Sequence, residues 1–304
     1  MMNQRTQVRE TAMAEQIIRN SFDRARLVAY YRAVESERPG ALFHDPYARR
    51  LAGERGEKLM QTYVRAKGEI GTIALRTRIY DEILLDTIER EQVDTVINLA
   101  AGLDTRPYRL SLPASLRWIE VDQPAILRYK QELLAHEQPA CMLERMPLDI
   151  TDDEARQSFL ADVGKQARQA FVLVEGLLLY LRTEQVAAIA RDLYKQATIH
   201  WLLTVFVPEL VLKRDKAYWN SIATEDVQDQ FAPGDSAAFF KDNGWEIAEF
   251  QSVIEAALRV KAPIRFRWLL RLLARITPDK PGAGGQQMGF VLLKRASAQP
   301  PQEK

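Results

Sequence analysis

The side chains best placed for chemistry lie in one stretch, Val93 to Asp122, which reads VDTVINLAAGLDTRPYRLSLPASLRWIEVD. A single glycine, Gly102, stands in the turn Ala100-Ala101-Gly102-Leu103-Asp104. An acid, Asp122, follows about twenty residues later. A glycine turn lets a ligand approach the backbone closely, and a carboxylate at that distance can accept from both hydroxyls of a ribose. For the two to face one ligand, both must sit at the ends of neighbouring strands. Thr95-Val96-Ile97-Asn98-Leu99 is short, apolar and rich in β-branched residues, so it reads as a buried parallel strand. Leu116 to Val121 reads as a second strand that ends on Asp122.

The glycine pattern narrows the ligand. A dinucleotide fingerprint requires G-x-G-x-x-G, and only Gly102 is present. No pyrophosphate cradle is spelled out, which favours a cofactor without phosphates. S-adenosylmethionine, with adenine, ribose and a zwitterionic amino acid, fits. A nicotinamide-dependent oxidoreductase would share the strand-and-acid geometry, but the glycines and a Tyr-x-x-x-Lys pair near a fourth strand are missing. A non-catalytic binding protein on the same fold is the third reading, since fold alone does not fix function.

Asn98-Leu99-Ala100-Ala101-Gly102-Leu103-Asp104-Thr105-Arg106 and Glu120-Val121-Asp122-Gln123-Pro124 resemble the leucine carboxyl methyltransferase family, in particular its bacterial branch of S-adenosylmethionine-dependent O-methyltransferases. The resemblance extends to His44-Asp45-Pro46-Tyr47, Leu75-Arg76-Thr77-Arg78 and Glu175-Gly176-Leu177-Leu178-Leu179-Tyr180-Leu181, covering roughly residues 20 to 185 in order. It implies that Arg76 binds the methionyl carboxylate, which suits the bidentate fork of a guanidinium. It implies that Asp149 and Ile150 flank the adenine, and that a basic residue near Arg32 meets the cofactor. Eukaryotic members carry glycine where Ala100 stands; a β-carbon there is expected to narrow the cofactor's approach and to keep φ negative.

Around this centre the chain reads as helices and strands in alternation. Ala14 to Ser36 has apolar residues at three- and four-residue steps, with Arg24, Arg26 and Arg32 interleaved. Asp45-Pro46 reads as an N-cap and first helical position, with Gly53 and Gly56 breaking the helix that follows. His44, just before it, reads as a loop residue. Residues 72–90 form an amphipathic helix with Arg76 near its start and Arg78 on another face. Cys141 to Pro147 reads as the third strand, followed by Asp149 at its end and a capping box at Thr151-Asp152-Asp153-Glu154. Ala170 to Val174 is the fourth, ending at Glu175, which faces the cleft or pairs with Arg76. Tyr180 then lines the methyl-transfer site or simply packs; Tyr180 and Glu175 are the two candidate catalytic side chains. Thr183 caps a helix to Gln196, and Ile199 to Val207 is the fifth strand. Trp245–Phe250 and Gln286–Leu293 complete a doubly wound, seven-stranded, Rossmann-like α/β sheet whose last strand is antiparallel.

Two domains are expected: an N-terminal helical cap over 1–90, and a cofactor-binding α/β domain over 91–304 with a lid insertion at 209–234. That insertion is long enough to be functional. Its Tyr218 and Trp219, with Phe231, are expected to wall an apolar acceptor pocket together with helices 14–38. The segment 264–276 aligns Arg267, Arg271 and Arg275 on one face; it reads as a surface helix packed on the core, or one that meets an acidic partner or a membrane surface.

Composition sets the outer bounds. The chain has 304 residues, 47% hydrophobic and 27% charged, with net charge +1. A near-neutral balance provides no global field for nucleic acid. One cysteine excludes an internal disulfide framework, and three dispersed histidines argue against a metal site. No apolar run is long enough for a membrane span, so a cytoplasmic protein acting on a small-molecule acceptor is expected. A carboxylate acceptor, already ionised, needs no base; a phenol or alcohol would need one, from Tyr180, Glu175 or His44. The scarcity of histidine leans towards the carboxylate, of a small, possibly secondary-metabolite, acid or, as the resemblance to the family's eukaryotic members implies, of a protein C-terminus.

Overall fold

The run Thr95–Leu99 forms β1, with all five residues buried, and its two neighbours on either side are strands of the same kind. The computed structural model describes residues 18–62, 66–208, 231, 233–261 and 287–297. Parallel strands β2 (Arg117–Asp122) and β3 (Met142–Pro147) extend the sheet on one side of β1, and β4 (Ala170–Val174) and β5 (Ile199–Phe206) on the other. β6 (Trp245–Ser252) and β7 (Gly289–Arg295) close the second edge as an antiparallel pair, giving the order β3-β2-β1-β4-β5-β7-β6. This is the expected seven-stranded sheet with its antiparallel last strand.

Alternation along the strands builds two cores. Ile97, Leu99, Ile119, Val121, Val172 and Val174 face one side, against α6 (Asp153–Gln166) and α7 (Thr183–Lys195). Val96, Trp118, Phe171 and Leu173 face the other, against α3 (Ala66–Arg90) and α9 (Val253–Arg259). The apolar stripe of α3, Leu75, Ile79, Leu84 and Ile88, is therefore part of the sheet's own core. At roughly 1.5–3 kcal/mol per buried large side chain, this stripe fixes where Arg76 stands. Above the strand tips, α1 (Ser21–Ser36) packs on α2 (Ala48–Thr62) and on α3. Asn20 caps α1 by accepting from the Asp23 N–H at 2.8 Å.

Several local expectations are corrected. The helix after Pro46 begins at Ala48 and runs on through Gly56, with one kink at Gly53, where φ is +58°. Asp45 is no simple cap: buried, it accepts from Arg32, Thr105 and the Tyr47 N–H. The cap before α6 is Asp152, which accepts from the Ala155 N–H, one residue later than the box at Thr151. The N-cap of α7 is Arg182, not Thr183; its N–H donates to Gln185 Oε1 at 3.0 Å. Short helices α4 (Arg106–Arg109), α5 (Pro124–Leu133) and α8 (Ser236–Asp242) complete the frame. The segment 264–276 and most of 209–234 lie outside the described residues. Phe231 is described: it is buried in the core against Phe239 and Phe240, and its N–H donates to the Leu181 carbonyl at 3.0 Å.

Candidate active site

The carboxylate of Asp122 closes the turn after β1. Its Oδ2 accepts from the Gly102 N–H and its Oδ1 from the Gln123 N–H, each at 2.6 Å. A second tie, from the Ala101 N–H to the Val121 carbonyl, holds the turn against the end of β2. Each Asp122 oxygen keeps lone-pair capacity beyond its backbone bond. Burial pushes this carboxyl above the usual range, while the two N–H donors and Lys130 pull the other way. Gly102 sits at φ +50°, and a β-carbon there would meet only the Ala25 methyl, at 3.6 Å, and the Ala100 carbonyl, at 3.9 Å. The expectation for Ala100 fails: its φ is +53°. The left-handed conformation is retained at the strand-to-turn switch in spite of the β-carbon, because the turn is pinned on both sides.

A second cluster lies at the tip of β4. Glu175 accepts from Arg76 Nε at 2.8 Å and pairs with Arg106 Nη1 at 2.8 Å. Arg106 is almost wholly buried and also binds Asp81 and Asp104, each at 2.7 Å. Asn98, at the penultimate position of β1, donates to Asp104 at 2.8 Å. Burial acts against ionising Glu175 and Asp104, but the surrounding guanidinium groups win and hold both below the usual carboxylate range. Gly176 has φ +73° and brings its backbone close to the Arg76 fork.

These two clusters, with α1 as a roof, enclose a cavity of about 280 Å³. Arg32, Arg76, Ala100, Gly102, Asp122, Glu175 and Tyr180 all line it, so seven of the residues singled out from sequence converge. Arg32 does so while its Nε donates to Asp45 at 2.8 Å and its Nη2 to the Leu103 carbonyl, tying α1 to the turn. Asp149 and Ile150 are not among the lining residues. Asp149 is exposed and accepts from the Thr151 N–H and hydroxyl, and Ile150 is buried in the core. Tyr218 and Trp219 lie outside the described residues. His44 is exposed and stands apart from this cavity.

Sequence reasoning missed Asn98, Asp104 and Arg106 as site residues, although all three lie in the motif. Their signal was alternating charge, Asp104 and Arg106 two positions apart, in a turn between buried strands. Arg24 and Tyr31 of α1 also line the cavity. Among the described lining residues there is no histidine, lysine or cysteine.

The sequence model of the leucine carboxyl methyltransferase family matches residues 25–193, which span nearly every element of this cavity. The chain belongs to that family. A relative from Parafrankia sp. (strain EAN1pec), described as a "putative S-adenosyl-L-methionine-dependent methyltransferase", is 31% identical over 262 residues, 79% of this chain and 81% of its own. Two crystal structures share the fold. A protein from Thermobifida fusca described as a "putative methyltransferase" superposes with TM-score 0.56 at 16% identity, covering 90% of this chain and 94% of its own. A DUF574 family protein from Streptomyces avermitilis gives TM-score 0.54 at 14% identity, with coverage of 89% and 96%.

As a member of this family the chain is a methyltransferase, and its cofactor is S-adenosylmethionine. The cavity suits that molecule. Asp122 offers ribose hydroxyls acceptor capacity beside a turn stripped of side chain at Gly102. Arg76 and Glu175 present opposite charges together at the β4 end, where an amino acid's carboxylate and ammonium would each find a partner. Among the described residues no group of three or more metal-ligating side chains occurs, and no helix is long and apolar enough to cross a membrane.

Proposed function

We propose that this chain is an O-methyltransferase whose acceptor oxygen belongs to the carboxylate of a small organic acid. The observation that carries this reading is the state of the ionisable groups facing the cavity. Asp104 and Glu175 are held ionised by guanidinium groups, and the described lining has no histidine or lysine. A carboxylate held below its ordinary range is a poor base for an alcohol or phenol. An acceptor that is already an anion needs none.

When bound, S-adenosylmethionine supplies a methyl group on positively charged sulfur, and the new bond forms at the acceptor oxygen as the carbon–sulfur bond breaks with its electron pair left on sulfur. The chain's part is positioning and the exclusion of water. Asp122 and the Gly102 turn hold the nucleoside, Arg76 and Glu175 hold the amino-acid end, and α1 covers the reacting centre. Asp149 and Ile150 would reach the adenine only from outside the present lining, and we assign them no part. The working compartment we propose is the cytoplasm, in keeping with a lone, buried, unpaired cysteine, Cys141.

The test uses methyl-labelled S-adenosylmethionine with matched acids, phenols and alcohols. A methyl ester releases volatile methanol in mild alkali and an ether does not. Base-labile product from an acid supports the assignment. Base-stable product formed only from phenols or alcohols would overturn it.

A further inference from the structure

The motif His44-Asp45-Pro46-Tyr47 does not line the cavity, yet the Asp45 side chain is wholly shielded from solvent. It stands between two elements that do line it. On one side is the roof, α1. Arg32 Nε donates to Asp45 Oδ2 at 2.8 Å, and the Asp45 N–H donates to the Ser36 hydroxyl at 2.9 Å. On the other side is the turn after β1. The Thr105 hydroxyl donates to the same Oδ2 at 2.7 Å. Arg32 closes the circuit, with Nη2 donating to the Leu103 carbonyl at 2.5 Å. The second Asp45 oxygen accepts from the Tyr47 N–H at 3.2 Å.

The turn is thus gripped from two directions. Asp122 holds the Gly102 N–H, and the Arg32–Asp45 pair holds Leu103 and Thr105, which follow Gly102 in the chain. Arg32, Asp45 and Thr105 are all buried. Buried charge-assisted hydrogen bonds need good geometry, and a buried charge that loses its partner is costly. A shift of α1 against the turn would break such bonds, so roof and turn hold one relative placement.

We propose that Asp45 is a positioning residue for S-adenosylmethionine: it fixes the Gly102 turn against the roof and couples that turn to the loop behind it, residues 42–47. Asp45 acts through Thr105 and Leu103, not by contact with the cofactor. Coupling of this kind is reciprocal. A ligand that orders the turn strengthens the Thr105 tie and steadies the loop, and loss of the tie weakens the ligand. The role is the same whichever oxygen accepts the methyl group.

Two variants test it, with S-adenosylhomocysteine as the probe. Asp45→Ala removes the centre of the circuit. Thr105→Val, close to it in shape, removes one hydroxyl and leaves the Arg32–Asp45 pair. By calorimetry each should weaken binding by at least about fivefold, the lower end of typical coupling between sites. The double variant should lose no more than about twofold beyond Asp45→Ala alone, whereas independent effects would multiply. Hydrogen exchange provides a readout that a merely structural role would not move. In the wild type, saturation with S-adenosylhomocysteine should slow exchange in segment 42–51 by more than in α8, which reports the general stabilisation by ligand. In Thr105→Val, at saturation, that excess should vanish, and this comparison decides the matter even if Asp45→Ala does not fold. Affinity of Thr105→Val within about twofold of wild type, losses that multiply, or no excess slowing of 42–51 in the wild type would each overturn the assignment.

Discussion

Arg76 and Glu175, 99 residues apart in the chain, meet at 2.8 Å where α3 passes the tip of β4. The pair joins the layer that covers one face of the sheet to the end of a central strand, at the cavity wall. Both side chains are little exposed, so the contact is shielded from solvent more than a surface ion pair is. Arg106 takes the second oxygen of Glu175, so the carboxylate has a cation on each side.

Arg76→Ala is therefore expected to weaken S-adenosylhomocysteine binding by about 1.5–3 kcal/mol, roughly 10- to 150-fold, the cost of a lost charged hydrogen bond. Arg78→Ala should change it by less than about twofold, because Arg78 pairs with Glu82 and donates to the Leu42 carbonyl, and does not line the cavity. Lysine at 76 should recover only part of the loss, since it lacks the fork. Titration calorimetry on the three variants decides the matter; equal losses at 76 and 78 would assign α3 a purely structural role.

Much of the frame was legible in the sequence, and for a local reason. β1, β2 and β4 announce themselves because each is a short buried run whose residues mostly favour strand, and Asp122 is legible because it ends one of them. What was not legible depends on partners far away in sequence. Arg106 finds Asp81 and Glu175 only after α3 and β4 have packed, and Asp45 looked like a helix cap until Arg32 and Thr105 closed on it. Asp149 stands at a strand end as read from sequence, and the local turn that its Oδ1 makes with the Thr151 N–H and hydroxyl was not legible there. The φ of Ala100 could not be read from its type, because tertiary ties at Ala101 and Gly102 override the intrinsic preference.

The Glu175 cluster should shape the acid limb of stability. Glu175 and Asp104 are depressed in the folded protein relative to the unfolded chain, whose carboxyls titrate near about pH 4. Their contribution to stability is full above that value and is lost as pH falls through the lower, folded values. Glu175→Gln should reduce stability at neutral pH and flatten the acid limb of a stability–pH curve measured by urea unfolding. An acid limb as steep as that of the wild type would mean that other carboxylates control it.

Asp122 runs in the opposite direction. Its carboxyl is raised by burial, so ionising it costs the folded protein stability as pH rises from the unfolded value through the folded one. With Asp122 holding the ribose as an ionised acceptor, as proposed, affinity for S-adenosylhomocysteine should fall on acidification at a higher pH than an ordinary aspartate would set. Asp122→Asn should abolish that dependence and weaken binding at neutral pH by about 1–3 kcal/mol. Calorimetry from roughly pH 4 to roughly pH 8, which brackets the carboxyl titration from above, provides the comparison. A wild-type profile that the Asp122→Asn variant reproduces would remove Asp122 from the binding site.

Ala100 provides the sharpest test of the turn. An L-residue in the left-handed region costs about 1–2 kcal/mol, and glycine avoids that cost. Glycine also loosens the unfolded chain, which costs about 0.4–1 kcal/mol. The two partly cancel, so Ala100→Gly should leave stability unchanged or raise it by up to about 1.6 kcal/mol. Ala100→Val should be different, since a β-branched residue at φ +53° is strained whatever space surrounds it. It should lower stability by more than about 1 kcal/mol. It should also weaken cofactor binding, because Gly102 and its bond to Asp122 lie in the same turn. Thermal unfolding with and without S-adenosylhomocysteine separates the two effects. If valine is tolerated at 100 with full cofactor stabilisation, the turn does not hold the conformation described, and the tie between Gly102 and Asp122 does not set the site.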